Sequence, residues 1–371
     1  MSPTVVANAA SARVGGGLTH ILRQLSALER VRPDLDLRVL AAPWNVDALR
    51  DALEAPVRLV PVPAASARFA YEQLVLPWQL RSDDILYCPG NFAPLALRRS
   101  KTVLVLQNPN YVGAGRHWQT TQRTWLRLKI QLCERSLLTA DRVVVVSNAL
   151  GETLLGDLPQ VVDRTVVIRG GAPVWPDDEV APPGFPLPTG HVLSLANDYL
   201  HKNLDHLVDA WSRCFGAAPE TAPALVMAGD ISDGRRQEQL ARVPTGLRSR
   251  LRYLGAVVDR RQVRWLLAHA AAMVAPSALE AAPHTPTEAG SLGCPVIVSD
   301  IPAHREAAGD HATYVGVGDV EGLSDAIAAV VRQPPARLRW SWRRTWEDNA
   351  RDLAEVFDDL MSTSGGRPVR R

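Results

Sequence analysis

Lysine is almost missing from this chain: Lys101, Lys129 and Lys202 are the only three among 41 cationic side chains, and the rest are arginine. Coding bias accounts for that excess more simply than arginine chemistry does, and it makes each lysine worth locating. Cysteine is scarce too. Cys88, Cys133, Cys214 and Cys294 stand apart with no Cys-x-x-Cys pair, which argues against a metal site or a disulfide framework and suits a reducing compartment. No stretch reaches the roughly 18 consecutive apolar residues of a membrane span. The first residues lack the charged, apolar and small-residue regions of a secretion signal, so a cytoplasmic protein is expected. Charge of one sign is also lacking: the formal net charge is +2, with no zinc-finger or basic-arm pattern, and nucleic acid is not an expected partner.

What is present suits two domains of ordinary size, 371 residues of which 46% are hydrophobic. Short apolar runs alternate with amphipathic stretches, the pattern of parallel sheets built from βαβ units. Strands are expected at 4–9, 37–41, 57–61, 85–88, 102–106, 142–146 and 166–169, with helices to about Arg30 and over 67–80, 120–138 and 149–158. The proline-dense stretch 172–190 reads as a stiff connector. A second series follows, with strands at 191–195, 224–227, 251–254, 271–275, 295–298 and 312–315 and helices at 204–215, 260–269 and 320–332. The tryptophan-rich stretch 339–360 reads as a closing helix. The fold class is therefore α/β, with domains at 1–172 and 173–338. Helix 120–138 mixes apolar and basic residues, which fits either a core-facing helix or peripheral contact with the inner face of a membrane.

The chain is organised around residues 275–306. Two carboxylates, Glu280 and Glu288, flank the turn into a short helix between two apolar strands. Loops leaving the carboxyl ends of parallel strands face the ligand crevice, so both acids are expected there. Glu288 also has a purely local explanation, because Thr285-Pro286-Thr287-Glu288 has the form of a capping box.

The whole segment resembles the signature of the family 4 retaining glycosyltransferases. Pro276-Ser277 and Glu280 are followed after seven residues by Glu288-Ala289. Gly293-Cys294-Pro295-Val296-Ile297 and Ser299-Asp300-Ile301-Pro302 then come at the family's offsets. The resemblance implies a GT-B architecture, two Rossmann-like domains facing each other across a cleft, with the last helix crossing back onto the first domain. It implies that Glu288 holds the ribose hydroxyls of a nucleotide sugar and that Glu280 contacts the donor sugar, with His284 and Thr285 beside them.

Three other loops fit the same pattern. Gly15-Gly16-Gly17 joins the first strand to the first helix, where glycine lets backbone N–H groups approach an anion; it is otherwise an ordinary flexible turn. It does not have the dinucleotide-binding Gly-x-Gly-x-x-Gly spacing, and in the family a Gly-Gly loop here lies against the diphosphate. Lys202 precedes Asn203, a plausible N-cap, and a cation at a helix start runs against the dipole unless an anion joins it; an exposed lysine is the plain alternative. The family pattern Gly-Arg-Leu-x-x-x-Lys-Asn is matched at Lys202-Asn203, but Asn197 stands where the family has arginine. Arg235, Arg236 or the glycine loop is then expected to compensate, or diphosphate binding to be weaker. Val257, in the turn after strand 251–254, corresponds to a nucleobase contact. On the acceptor side the candidates are Gln107, Asn108, Asn110, Tyr111 and His117, and a family histidine role is not carried by Gln107-Asn108.

The expected function is retaining transfer of a sugar from a nucleotide diphosphate sugar, UDP slightly favoured, to the hydroxyl of a glycan, lipid-linked glycan or small molecule. Lys202 and the glycine backbone would stabilise the leaving diphosphate and Glu280 would orient the sugar, with no metal and no other cofactor. Two alternatives remain open: a GT-B nucleotide-sugar 2-epimerase, and a degenerate sugar-nucleotide-binding partner without catalysis.

Overall fold

The computed structural model describes residues 4–12, 16–60, 65–95, 100–117, 123–182 and 187–362. The chain forms two compact units, one of Met1–Ala172 with Arg344–Arg371 and the other of Pro173–Arg343.

The first unit is built on seven parallel strands: β1 Thr4–Asn8, β2 Asp36–Ala41, β3 Val57–Leu59, β4 Ile85–Cys88, β5 Lys101–Leu106, β6 Arg142–Val145 and β7 Thr165–Val167. Their order is β3-β2-β1-β4-β5-β6-β7, so the winding direction reverses between β1 and β4. Strands β1 and β4 are buried along their whole length, as β-branched and apolar runs in a doubly covered parallel sheet should be. The chain's last helix, Trp346–Ser362, packs on helix Gly16–Val31 of this unit. Trp346 meets His20 edge-on at 5.1 Å, Phe357 meets Tyr87 at 5.7 Å, and Gln24 Nε2 donates to Asn349 Oδ1 at 2.8 Å.

The second unit has six parallel strands, β8 His191–Leu195, β9 Leu225–Ala228, β10 Leu251–Gly255, β11 Ala270–Ala275, β12 Val296–Ser299 and β13 Thr313–Val315, in the order β10-β9-β8-β11-β12-β13. Successive residues face opposite layers of the core. Val192, Leu225, Met227, Val274 and Ile297 pack with Trp211, Leu207 and Ile327 on one face. Leu193, Val226, Met273, Val296 and Val298 pack with Leu266 and Leu267 on the other. Here the winding reverses between β8 and β11, which pair directly.

Several elements differ from the sequence reading. The helix expected over 67–80 divides into Ala65–Leu74 and Leu76–Gln79, because Pro77 has no N–H to continue the ladder. The closing helix starts at Trp346 rather than 339. Trp340 N–H donates instead to Gly290 O at 2.9 Å, and the Trp340 ring stacks on His311 at 5.3 Å, so tertiary bonds hold that segment out of the helix. Helices at Asp233–Arg242 and Pro302–Ala308 were not expected at all. Among the described residues no helix is long and apolar enough to cross a membrane, and the four cysteines are free. Helix Arg123–Thr139 turns Leu126, Cys133 and Leu137 inward and leaves Leu128 exposed.

Gly290 lies beneath the Trp340 ring, and a Cβ there would overlap the indole. Gly290→Ala is expected to destabilise the protein by about 1–3 kcal/mol, the usual cost of overpacking, measured by denaturant unfolding. Three histidines of this unit, His191, His201 and His304, are buried. Burial lowers all three pKa values, and for His201 burial together with the Lys202 charge brings it to about 4. As pH falls below the ordinary value near 6.5, the unfolded chain takes up protons that the folded one refuses, so stability must fall. Melting temperatures measured from pH 7.5 to 5 should drop, each fully refused proton contributing about 1.4 kcal/mol per pH unit. His201→Gln should flatten that dependence.

Candidate functional site

In open α/β sheets the ligand crevice lies outside the carboxyl ends of the strands where the winding reverses. In the second unit that point falls between β8 and β11. The loop after β8 carries Asn197 and Lys202, and the loop after β11 carries Ser277 and Glu280. The two loops are tied together by main chain and side chain. Ala278 N–H donates to His201 O at 2.7 Å, and Asn203 Nδ2 donates to Pro276 O at 3.0 Å. Asn203 immediately precedes helix Leu204–Phe215, but in the left-handed conformation (φ 51°) and with no capping hydrogen bond from its side chain. The N-cap expectation therefore fails in its chemistry, because the carboxamide serves the neighbouring loop.

Lys202 sits in a short 3-10 turn, Leu200–Lys202, and not at the start of the helix. Its ammonium bonds Glu280 Oε1 at 2.6 Å, and both side chains are partly covered. The anion that relieves this lysine is thus one of the two carboxylates singled out by the sequence. Burial pushes the Glu280 carboxyl up, but Lys202, with smaller help from His304 and the Ser277 hydroxyl, overcomes it, and Glu280 lies below the ordinary carboxylate range. Behind the pair, His304 Nδ1 lies 2.8 Å from Ser299 O. A carbonyl only accepts, so that nitrogen carries the proton, and Nε2 is left buried without a partner.

Glu288 projects from helix His284–Ser291, which follows Glu280. The capping box does not form: the helix begins two residues earlier than that motif requires, Pro283 occupies the N-cap position, and no side chain caps it. Thr285 lies inside the first turn, and the Thr287 hydroxyl bonds back to His284 O at 2.7 Å. Thr285 is therefore a helical residue and not the N-cap from which its hydroxyl would close the box, and the Glu288 carboxylate is turned elsewhere. Its Oε1 forms an ion pair with Arg260 at 2.7 Å. Burial lowers the His284 pKa, while Glu288 and Glu280 both act to raise it and Arg260 to lower it, so the ring lies within electrostatic reach of both acids.

The remaining donor-side candidates fall as follows. Asn197 Oδ1 accepts from Asp230 N–H at 2.9 Å, which ties the β8 loop to the β9 loop. Arg235, the expected stand-in for the missing arginine, is shared among Asp198, Asp205 and Glu238 at 2.9–3.2 Å. Arg236 pairs with Asp233 at 3.4 Å and lies over Tyr253. Neither is an uncommitted cation. Val257 is half-buried among residues that include Trp175 and Leu254.

In the first unit, Gly15 lies outside the described residues. Gly16 and Gly17 are the first turn of helix Gly16–Val31 and not a loop before it, so their N–H groups are helix-terminal donors. At the carboxyl end of β5, Asn91, in the left-handed region (φ 68°), accepts from both Gln107 N–H at 2.8 Å and Asn108 N–H at 2.9 Å. Gln107 Nε2 donates to Pro89 O. Asn108 Oδ1 accepts from Asn110 N–H and Nδ2, and the buried Asn110 keeps an Oδ1 with no partner. Tyr111 is buried against Phe92 at 5.3 Å. His117 ends the short turn Gly113–His117, and its side chain lies outside the described residues.

Sequence reasoning missed Arg260, Trp175, His304 and Asn91, and also a buried group at the end of β1 where Asn8 and Arg68 both bond Glu72 at 2.8–2.9 Å. Asn-Phe after Pro-Gly at 89–92 is a turn signal from which Asn91 was accessible. For Arg260 and Trp175 no local spacing points to Glu288.

Residues 190–333 match the family described as Glycosyl transferases group 1. No curated protein matches the chain. Among solved structures it is similar to HepE of Anabaena in complex with UDP and glucose, at 17% identity and a TM-score of 0.66, covering 97% of this chain and 99% of that one. It is similar also to sucrose-phosphate synthase of Thermosynechococcus elongatus, at 18% identity and a TM-score of 0.71, covering 98% and 100%. A third similar structure is a UDP-forming α,α-trehalose-phosphate synthase of Burkholderia vietnamiensis, at 12% identity and a TM-score of 0.60, covering 97% of each. With the two doubly wound sheets, these likenesses show the GT-B fold. The chain is a glycosyltransferase of that fold, its second unit carrying the glycosyl transferases group 1 domain.

Proposed function

We propose that the chain moves a sugar from a nucleoside diphosphate sugar to an acceptor hydroxyl, with retention at the anomeric carbon and without a metal. The observation that carries this reading is the Lys202–Glu280 pair at the winding reversal of the second sheet, with Glu288 eight residues further on. In the transition state negative charge grows on the departing diphosphate, and a preorganised ammonium beside it lowers the barrier. Lys202 takes that role, Glu280 orients the donor sugar, and Glu288 accepts hydrogen bonds from the ribose hydroxyls. The neighbours crystallised with UDP and named as UDP-forming support a uridine nucleotide as the first donor to test.

Calorimetry against UDP, GDP, dTDP and ADP should reveal one that binds; failure of all four would sink the proposal. Glu288→Gln should weaken that nucleotide about ten- to a hundredfold, the worth of hydrogen bonds to a charged group. Lys202→Ala should lower turnover by roughly 10²–10³ while melting remains cooperative. Full activity of the lysine variant would remove Lys202 from the leaving group. Chelation with EDTA should leave turnover unchanged. The engagement of Asn197 and Arg235 in structural bonds favours one second reading, a nucleotide-binding partner without catalysis. Binding without transfer or donor hydrolysis across an acceptor panel would select it.

A further inference from the structure

Glu288 is held from two directions by a closed ring of contacts. Its carboxylate Oε1 pairs with Arg260 at 2.7 Å. The Arg260 guanidinium lies over the Trp175 ring, 4.2 Å from its centroid. Trp175 Nε1 donates to Ser291 Oγ at 2.9 Å, and the Ser291 hydroxyl donates to the backbone carbonyl of Glu288 at 2.7 Å. The ring therefore runs from the acid's side chain through a cation, an indole and a hydroxyl back to the acid's own main chain.

Both outer members of the ring are themselves fixed. Arg260 begins helix Arg260–His269, which Asp259 caps through Arg261 N–H. Trp175 belongs to the proline-rich stretch that the sequence suggested was only a connector, yet that stretch is docked on the same helix. Arg264 bonds Pro176 O, Val180 N–H bonds Arg261 O, and His269 bonds Glu179 at 2.9 Å. Arg260 has no other ion-pair partner among the described residues, and its Nε is buried without a hydrogen bond. A guanidinium placed this way works as a flat, immobile prop under one carboxylate oxygen. The second oxygen, Oε2, bonds no described side chain.

We propose that Arg260, seated on Trp175, is a positioning residue that aims the open Glu288 oxygen at the two hydroxyls of a ribose and thereby sets selectivity for ribonucleotides over 2′-deoxyribonucleotides. The inference rests on the donor-site reading of Glu288 given above. A vicinal diol offers two O–H donors to one carboxylate, and both are satisfied only when the carboxylate plane is fixed. A free glutamate side chain loses rotamer freedom when it binds, whereas one already ordered by an ion pair does not. A 2′-deoxy sugar removes one donor, so its penalty is large when the carboxylate is held in place and small when it can swing to serve the remaining hydroxyl.

The test is the ratio of dissociation constants for a matched pair, UDP and 2′-deoxy-UDP or the corresponding pair for whichever nucleotide binds. The native protein should prefer the ribonucleotide by at least about tenfold. Arg260→Met and Trp175→Leu should bring that ratio near unity. Arg260→Lys and Trp175→Phe, which disturb packing less, should give intermediate ratios and serve where the larger changes fail to fold. Lys202→Ala should weaken both nucleotides alike and leave the ratio intact. If Glu288→Gln abolishes the preference while the Arg260 and Trp175 variants retain it, the positioning role is overturned and the ribose assignment stands. If the native protein shows no preference, or Glu288→Gln leaves it unchanged, the ribose assignment of Glu288 falls first.

Discussion

The geometry of the second unit depends on how two loops are joined where its sheet reverses direction. Main-chain and carboxamide bonds, His201 to Ala278 and Asn203 to Pro276, fasten the end of β8 to the end of β11 before any charge is considered. Asn203 makes its bond from a left-handed conformation, which costs a non-glycine residue about 1 kcal/mol or more. Asparagine tolerates that region best, and the hydrogen bond to Pro276 offsets the cost. With the loops fixed, Lys202 and Glu280 meet at 2.6 Å without needing to draw the backbone together. Their pairing is a result of the loop junction and not its cause.

Charge balance follows from that arrangement. Each acid of the pair singled out by the sequence has one cation, Lys202 for Glu280 and Arg260 for Glu288, so the four groups sum to zero. A diphosphate entering such a site, as the proposed function requires, cannot find an idle lysine. It must share the ammonium with Glu280. That sharing is feasible because an ammonium has three donors, and Glu280 is its one hydrogen-bonded side-chain partner among the described residues. Arg260 is different, since its planar guanidinium is trapped between an indole face and a carboxylate. The two cations therefore suit different tasks, one adaptable and one rigid.

Much of this was legible in the sequence, and the misses have physical reasons. Strands such as 85–88 and 191–195 and helices such as 204–215 and 260–269 were readable because they are apolar runs or amphipathic periods with clear ends. Lys202 and Glu280 could be placed at one end of the sheet because both lie in loops leaving parallel strands, and the structure pairs them. What could not be read was each residue's partner. Thr285 to Glu288 has the form of a capping box, but the chain enters the helix from Pro283 and leaves the motif without its chemistry. Trp340 sits in a stretch of helical composition, yet its N–H is claimed by Gly290 from another helix. Trp175 looked like part of a spacer because proline density reports stiffness and says nothing about docking. In each case a long-range contact outweighed a local preference worth only about 1–2 kcal/mol.

The substitution at Asn197 shows the same precedence of tertiary fit. Its carboxamide oxygen takes the Asp230 N–H and so holds the β8 and β9 loops together. One residue on, Asp198 draws in Arg235, which is also claimed by Asp205 and Glu238. An arginine at 197 would lose the bond to Asp230 and bring a second guanidinium beside Arg235. The acids of this corner are already engaged in holding the helix that begins at Asp233. Cationic density in this corner thus serves the fold, whereas the cations committed to the two candidate carboxylates, Lys202 and Arg260, come from the β8 loop and from the helix after β10. In the proposed donor site the absence of that arginine leaves the diphosphate to a single lysine, and the loop junction at Asn203 and Pro276 holds the turn that carries it.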